Sequence, residues 1–311
     1  SLLNGEGHAA DSVRTFFGMR KISLGKDEAG HTRVFLNNRP VFMSGPLDQG
    51  WWPDGLYTAP TEEALRYDLE VMKKFGFNML RKHVKVEPRL FYALCDRLGI
   101  LVWQDMPSGD ASVGRNGEDI VRSEASARQF EQELERIIRT LWNHPSIVMW
   151  VAFNEGWGQY DTQRITALIE ALDPTRLVDS ASGWADRGVG DVCDIHAYPG
   201  PEAPSPEPHR AAVLGEFGGL GLPIPGHTWQ EEKSWGYRSF ETAEALTNAY
   251  VSLIEKLKGL KARGLSAAVY TQITDVEIEV NGLMTYDRAL IKIPPAEVAD
   301  LHRALIGADR F

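Results

Sequence analysis

Short continuous apolar runs alternate along this chain with segments whose apolar residues recur at helical spacing. The apolar runs are Val41 to Ser44, Phe77 to Arg81, Ile100 to Trp103, the stretch beginning at Ile147, Leu177 to Ser180, Val192 to His196, Ala212 to Gly215 and Ser266 to Thr271. Each is of strand length, and none shows the in–out alternation of a half-solvated sheet, so they read as strands buried on both faces. Between them, Thr61 to Phe75 places Leu65, Leu69 and Met72 on one helical face and stops at Gly76. Pro88 to Leu98, Ser123 to Leu141, Asp161 to Leu172, Thr242 to Lys261 and Ala296 to Ile306 follow the same rule. The links after Leu177–Ser180 and Val192–His196 are too short or too rich in proline for full helices, and two outer helices are expected to be degenerate.

Eight buried strands alternating with helices predict an α/β fold of the (β/α)₈ TIM-barrel type. Ahead of it, the β-prone runs Val13–Ile22 and Arg33–Leu36, with a turn at Asn37-Asn38-Arg39-Pro40, predict an N-terminal hairpin that plugs the barrel floor. Residues 1–32 read as a linker and hairpin remnant of an upstream module, and residues 33–311 as the barrel. No Gly-x-Gly-x-x-Gly turn follows the first strand and no phosphate-loop motif occurs, which argues against nucleotide chemistry.

Two strands end in carboxylates. Ile147-Val-Met-Trp-Val-Ala-Phe runs into Asn154-Glu155 and then Gly156-Trp157-Gly158; about sixty residues on, Ala211-Ala-Val-Leu-Gly runs into Glu216 and Phe217-Gly218-Gly219. Chemistry in a (β/α)₈ barrel sits at the carboxyl ends of its strands. Two glutamates placed there, with no metal-ligand cluster beside them in the sequence, point to an acid/base and nucleophile pair for glycosidic bonds and to no metal and no cofactor. Aromatic residues crowd the same end: Trp51, Trp52, Trp103, Trp157, Trp184, Trp229, Trp235 and Tyr237, each either a platform for a sugar ring or packing, with Trp103, Trp157 and Trp235 expected to bind the substrate.

Bulk properties narrow the partners. Of 311 residues, 33 are Lys or Arg and 43 are Asp or Glu, a net charge of −10 that repels nucleic acid and anionic membranes. Hydrophobic content of 43% fits a soluble domain with a sizeable core. The two cysteines, Cys95 and Cys193, read as buried free thiols. Neither a membrane-spanning run nor a signal pattern is found, and the compartment stays open.

From about Arg33 onward the chain resembles the catalytic barrel of glycoside hydrolase family 2, which holds β-galactosidases, β-glucuronidases and β-mannosidases. The resemblance rests on Asn143-His144-Pro145-Ser146-Ile147-Val148-Met149-Trp150 ending in Asn154-Glu155, on Phe77-Asn78-Met79-Leu80-Arg81 before Cys95-Asp96-Arg97-Leu98-Gly99, and on Gly215-Glu216-Phe217-Gly218. It implies a retaining, exo-acting β-glycosidase with Glu155 as acid/base and Glu216 as nucleophile. It further implies Asn154 at the sugar 2-hydroxyl and Tyr198 beside the nucleophile. Arg81 either holds the nucleophile anionic or is a structural ion pair, and His196 either contacts substrate or lines the wall. Phe17-Gly18-Met19-Arg20 resembles the junction to the family's preceding β-sandwich domains, so upstream sandwiches or a second copy are expected partners.

Departures from the family bear on the sugar. Lys82-His83-Val84-Lys85 replaces the Ser-His that follows the arginine in β-galactosidases, and Gln104-Asp105-Met106-Pro107 replaces their magnesium motif. The Asn-x-Lys pair that reads a uronate in glucuronidases is not evident, which leaves Lys82 and Lys85 as the candidates for that role. Endo-acting family 5-like mannanases or cellulases, and an idle sugar-binding barrel, are the alternative readings.

Overall fold

The computed structural model describes residues 1–13 and 15–307. Its centre is a ring of eight parallel strands: β1 (Met43–Asp48), β2 (Met79–Lys82), β3 (Leu101–Asp105), β4 (Ile147–Val151), β5 (Leu177–Asp179), β6 (Val192–Ala197), β7 (Ala211–Gly218) and β8 (Leu265–Thr271). Ladder pairing runs β5-β4-β3-β2-β1-β8-β7-β6. The seam between β5 and β6 is closed by Asp191, whose N–H donates to Val178 O and whose carboxylate accepts from the Val178 N–H, both at 2.8 Å. The chain therefore forms the (β/α)₈ barrel that the periodicity predicts.

Six helices pack outside: α1 (Glu62–Lys74), α2 (Arg89–Leu98), α3 (Glu124–Leu141), α4 (Thr162–Leu172), α5 (Ala243–Ala262) and α6 (Pro295–Ile306). Thr61, Ser123 and Thr242 cap α1, α3 and α5 by accepting from the N–H three residues on, which satisfies one orphan donor in each first turn. Gly99 and Gly307 end α2 and α6 in the left-handed conformation. No helix follows β5 or β6 among the described residues, as the short, proline-rich links predict.

The strand pleat sorts side chains into two cores. Val102, Leu80, Trp150 and Leu214 face the helices, while Met43, Leu47, Met79, Trp103, Met149, Val213, Ala267 and Val269 fill the barrel. Strands Ile22–Lys26, Thr32–Leu36 and Arg39–Pro40 form the floor, where Ile22 and Val34 join the barrel interior. Arg33 fastens this floor by donating to Leu265 O at 2.5 Å and Lys261 O at 2.6 Å. Asn37 and Asn38 take the positive φ values, 51° and 64°, that a two-residue hairpin turn needs.

Two expectations shift here. The β-prone run at Val13 is not a strand before Ile22 at the positions described (Arg14 lies outside them), while Leu2–Leu3 and Ala9–Asp11 pair in a small exposed ribbon. The first barrel strand begins at Met43, not Val41, and runs on to Asp48, because Val41 and Phe42 turn the chain from the floor into the ring.

Candidate active site

Glu155 and Glu216 meet at the carboxyl end of the barrel. An oxygen of each, together with a ring nitrogen of His196, lies within 4.8 Å of the others. No metal-ligand cluster stands beside the glutamates in the sequence; the fold brings His196 to them. Arg81 already supplies positive charge at that point, and His196 is hydrogen-bonded to Glu155 and lies 3.4 Å from Glu216, so the cluster is read as a paired triad.

Each glutamate is delivered by an irregularity in its strand. Beyond β4, Glu155 adopts φ 52°, a conformation rare for a residue with a side chain, and is held there by its N–H donating to Ser182 O at 2.9 Å. In β7 the inward positions Ala211 and Val213 would by strict alternation turn Glu216 outward. The register with β6 slips instead, from Ile195 opposite Leu214 to His196 opposite Glu216, which makes Gly215 the extra residue of a bulge and re-aims Glu216 into the barrel mouth. A Cβ on Gly215 would stand 2.1 Å from Asp194 Oδ2, so only glycine fits.

Glu216 is buried, yet its carboxyl is held below the ordinary glutamate value. Burial alone raises it, but the charges of His196, His83 and Arg81 and the hydroxyl of Tyr198 together outweigh burial. Tyr198 O–H donates to Glu216 Oε2 at 2.6 Å, and Arg81 Nη1 lies 3.3 Å from Oε1. Burial and the Glu216 charge push the Tyr198 phenol well up, so it stays a neutral donor. Arg81 contacts both Asp105 and Glu216. Its shortest contacts are two 3.0 Å bonds to Asp105 and a 2.8 Å bond to Asn154 Oδ1, with Glu216 as the longer partner. Asn154 is thus tied to Arg81 by its carbonyl, leaving its amide hydrogens for a ligand.

His196 stands between the two glutamates. Its Nδ1 is 2.9 Å from Glu155 Oε1 and 3.4 Å from Glu216 Oε2, and its Nε2 is 2.8 Å from Ser182 Oγ. Burial lowers its pKa, but Glu216, Glu155 and Asp194 win and raise it.

The aromatics divide. Trp103 is not a sugar platform: it is fully buried, with its indole N–H toward Met43 Sδ at 3.4 Å. It faces the interior as Asp105 does, but one pleat lower, about 7 Å deeper in the barrel. Trp52 is buried beneath Arg288. Trp235 and Trp157 remain 41% and 51% exposed at the mouth. Trp235 meets the edge of Tyr237, whose ring stacks on Tyr198 at 3.6 Å.

Lys82 and Lys85 do not face the mouth. Alternation from Arg81 turns Lys82 outward, where it pairs with Asp48 at 2.8 Å and Glu87 at 2.9 Å; Lys85 pairs with the same Glu87 at 2.8 Å. Sequence reasoning missed His83, Asp105, Ser182, Asp194, Thr271 and Glu279. Asp105 receives His83 Nδ1 at 3.1 Å, Thr271 meets Tyr198 O–H at 2.7 Å, and Glu279 accepts from Asn281 at 2.7 Å. The available signal was a polar residue at an inward position near the end of a buried strand, as with Asp105, Asp194 and Thr271. A groove of about 550 Å³ at the opposite rim holds one carboxylate, Asp96, already taken by His144 at 2.7 Å.

The fold and the triad define a parallel β/α barrel equipped for paired-carboxylate chemistry. The family model of the glycosyl hydrolases family 2 TIM barrel domain matches residues 30–213, and the chain belongs to that family of glycoside hydrolases. The match stops short of Glu216. A β-galactosidase of Aeromonas hydrophila is 28% identical over 235 residues, 73% of this chain and 21% of the relative; a putative β-glucuronidase of Formosa agariphila is 29% identical over 56% of this chain and 16% of the relative. The chain thus spans about a fifth of the length of such curated relatives. Among solved structures, a β-galacturonidase of Eisenbergiella tayi superposes with a TM-score of 0.71 at 20% identity, over 93% of this chain and 55% of that one. A β-D-mannosidase of Dictyoglomus thermophilum gives 0.67 at 22%, over 97% and 44%. Among the described residues no helix is long and apolar enough to cross a membrane.

Proposed function

We propose that this barrel is the catalytic domain of a retaining, exo-acting β-glycosidase working by double displacement, with Glu216 as nucleophile and Glu155 as acid/base. The observation that carries this reading is the separation of the glutamates. Oxygens within 4.8 Å fit a nucleophile that attacks carbon directly, for which carboxyls stand about 5 to 5.5 Å apart, and leave no room for the water of an inverting enzyme. The electrostatics support the assignment of roles, since the cations and the phenol gather on Glu216 and keep it an anion.

In the first step Glu216 attacks the anomeric carbon while Glu155 gives its proton to the glycosidic oxygen; the old C–O bond breaks and a glycosyl ester of Glu216 forms. In the second, Glu155 takes a proton from water, the water oxygen attacks the same carbon, and the ester breaks, returning both carboxyls to their starting states. Asn154 offers its amide to the 2-hydroxyl, where hydrogen bonds strengthen in the transition state. Trp157 and Trp235 offer exposed faces for stacking.

The sugar in the tight subsite is neutral. Lys82 and Lys85 are consumed by Asp48 and Glu87, while Glu279 adds a third carboxyl near Glu216, its pKa raised by burial and by that neighbour in spite of Asn281. A uronate would add a further negative charge to a pocket that already holds Glu155, Glu216 and Glu279. The greater length of the relatives supports further domains beside the barrel in the whole protein.

The test is a panel of aryl β-glycosides of galactose, glucose, mannose, arabinose, glucuronate and galacturonate, with the anomer first released followed by NMR. Turnover of one neutral sugar with release of the β-anomer is expected. First release of the α-anomer, cutting confined to internal bonds of polymers, or binding without turnover would each overturn the reading.

A further inference from the structure

Behind His196 lies a chain of polar groups that the double-displacement mechanism does not use. Asp194 Oδ1 accepts the Gly215 N–H at 2.6 Å, and its Oδ2 accepts the Ser182 hydroxyl at 2.5 Å. Ser182 Oγ in turn stands 2.8 Å from His196 Nε2. Asp179 lies against Asp194, fully buried, with an oxygen that finds no partner of its own. A proton on Asp179 removes that anomaly, because its O–H then has Asp194 to donate to. Burial, reinforced by Asp194, pushes Asp179 well above the carboxylate range, in keeping with this. Asp194 is left as the acceptor of the pair.

The direction of every hydrogen bond then follows. A hydroxyl has one hydrogen. Ser182 spends it on Asp194, so Ser182 Oγ meets His196 Nε2 as an acceptor, and Nε2 must carry a hydrogen. Arg81 Nη1, 3.4 Å from Nε2, does not compete: its hydrogens have Gly215 O and Glu216 Oε1, both at 3.3 Å. The free nitrogen of the neutral ring is therefore Nδ1, the one facing Glu155. Space is made for this ring by Gly183, where a Cβ would lie 2.7 Å from Nδ1.

We propose that Asp194 and Ser182, backed by Asp179, are positioning residues that fix His196 as the Nε2–H tautomer, so that Glu155 and His196 Nδ1 hold a single proton between them. This deepens the double-displacement reading and rests on it for its kinetic consequence. When that proton is lost, a carboxylate faces a ring lone pair, which disfavours the loss and keeps Glu155 armed as an acid to higher pH. The charged and titratable groups around the pair come from several strands: Arg81 on β2 and His83 just beyond it, Asp105 on β3, Asp179 on β5, Asp194 on β6 and Glu216 on β7. Ser182 also holds the Glu155 backbone, which couples the tautomer to the position of the acid.

Asp194→Asn inverts the chain. Its carbonyl keeps the Gly215 N–H, its amide donates to Ser182, and the Ser182 hydroxyl turns to His196 Nε2, which becomes an acceptor. The first measurement is the ¹⁵N chemical shifts of His196 against pH. The parent should show Nε2 protonated throughout and Nδ1 titrating; Asp194→Asn should show the neutral ring protonated at Nδ1. Ser182→Ala, which only deletes the hydroxyl, should lower the titration midpoint and covers the case in which Asp194→Asn does not fold. The second measurement is kcat/KM against pH. For a methyl glycoside the alkaline limb should move down by about one unit in Asp194→Asn, because a ring N–H now welcomes the ionised acid. For a dinitrophenyl glycoside, which needs no acid, the profile should not move. An Nδ1–H tautomer in the parent, or equal losses on both substrates with the limb in place, would overturn the proposal. If the parent cleaves no β-glycoside, the functional reading fails while the NMR still decides the tautomer.

Discussion

Removing each glutamate in turn should give opposite dependences on the leaving group. Glu155→Ala deletes the acid but spares what arms the nucleophile: Tyr198 at 2.6 Å and Arg81 at 3.3 Å still hold Glu216. His196, having lost its 2.9 Å partner, keeps Glu216 at 3.4 Å. The loss on a methyl glycoside should be that of general acid catalysis, about 10² to 10⁴, or roughly 3 to 5 kcal/mol of barrel-supplied transition-state stabilisation. A dinitrophenyl phenolate leaves unaided, so its first step should survive and the glycosyl ester should accumulate. Azide, small enough for the space the carboxylate vacates, should restore turnover and give the β-glycosyl azide. Glu216→Ala removes the attacking oxygen itself and leaves Arg81 to Asp105, Asn154 and Gly215 O. Both leaving groups should then fail together by several orders of magnitude, and any azide adduct should be the α-anomer. Burst kinetics with NMR of the azide products read both effects. Exchanged patterns would exchange the roles; near-parental rates in both variants would remove the pair from the mechanism.

Lys85→Met should lower stability without moving the ratio of kcat/KM between a neutral glycoside and its uronide, since Lys85 meets Glu87 and Gly50 O and not the mouth; a tenfold change in that ratio would show it reaching the substrate. His302 is fully buried between α5 and α6, and burial pushes its pKa from 6.5 down to about 3. The unfolded chain binds the extra proton first, so stability is complete above about pH 6.5 and falls by about 1.4 kcal/mol per unit below it; His302→Gln should flatten Tm between pH 5 and 7, and an unchanged slope would refute this. Lys292 and Asp275 form a fully buried pair at 2.6 Å. Lys292→Met should cost about 3 to 5 kcal/mol in urea unfolding by stranding Asp275, and adding Asp275→Leu should recover most of it; a double variant no better than the single would count against the pairing argument.

Much of this molecule is written locally. Continuous apolar runs closed by Asn154-Glu155 and Glu216 gave away buried parallel strands with polar ends, and the helical stripes with Thr61, Ser123 and Thr242 ahead of them gave the outer layer. The outward turn of Lys82 was missed, although side chains alternate along a strand and Arg81, its neighbour, faces inward. Trp103 was misread for want of depth: alternation reports which face a residue takes, not how far below the mouth its layer lies. The register slip that swings Glu216 inward was hidden as well, since it depends on Asp194 of a neighbouring strand occupying the place of a side chain at Gly215. The same holds for the contacts among Asp179, Asp194, Ser182 and His196, whose chemistry lies in which oxygen faces which nitrogen. Local pattern fixes element type and face by the period of the backbone; layer depth, bulges and the direction of a hydrogen bond are set by residues distant in sequence, and only ring closure brings those together.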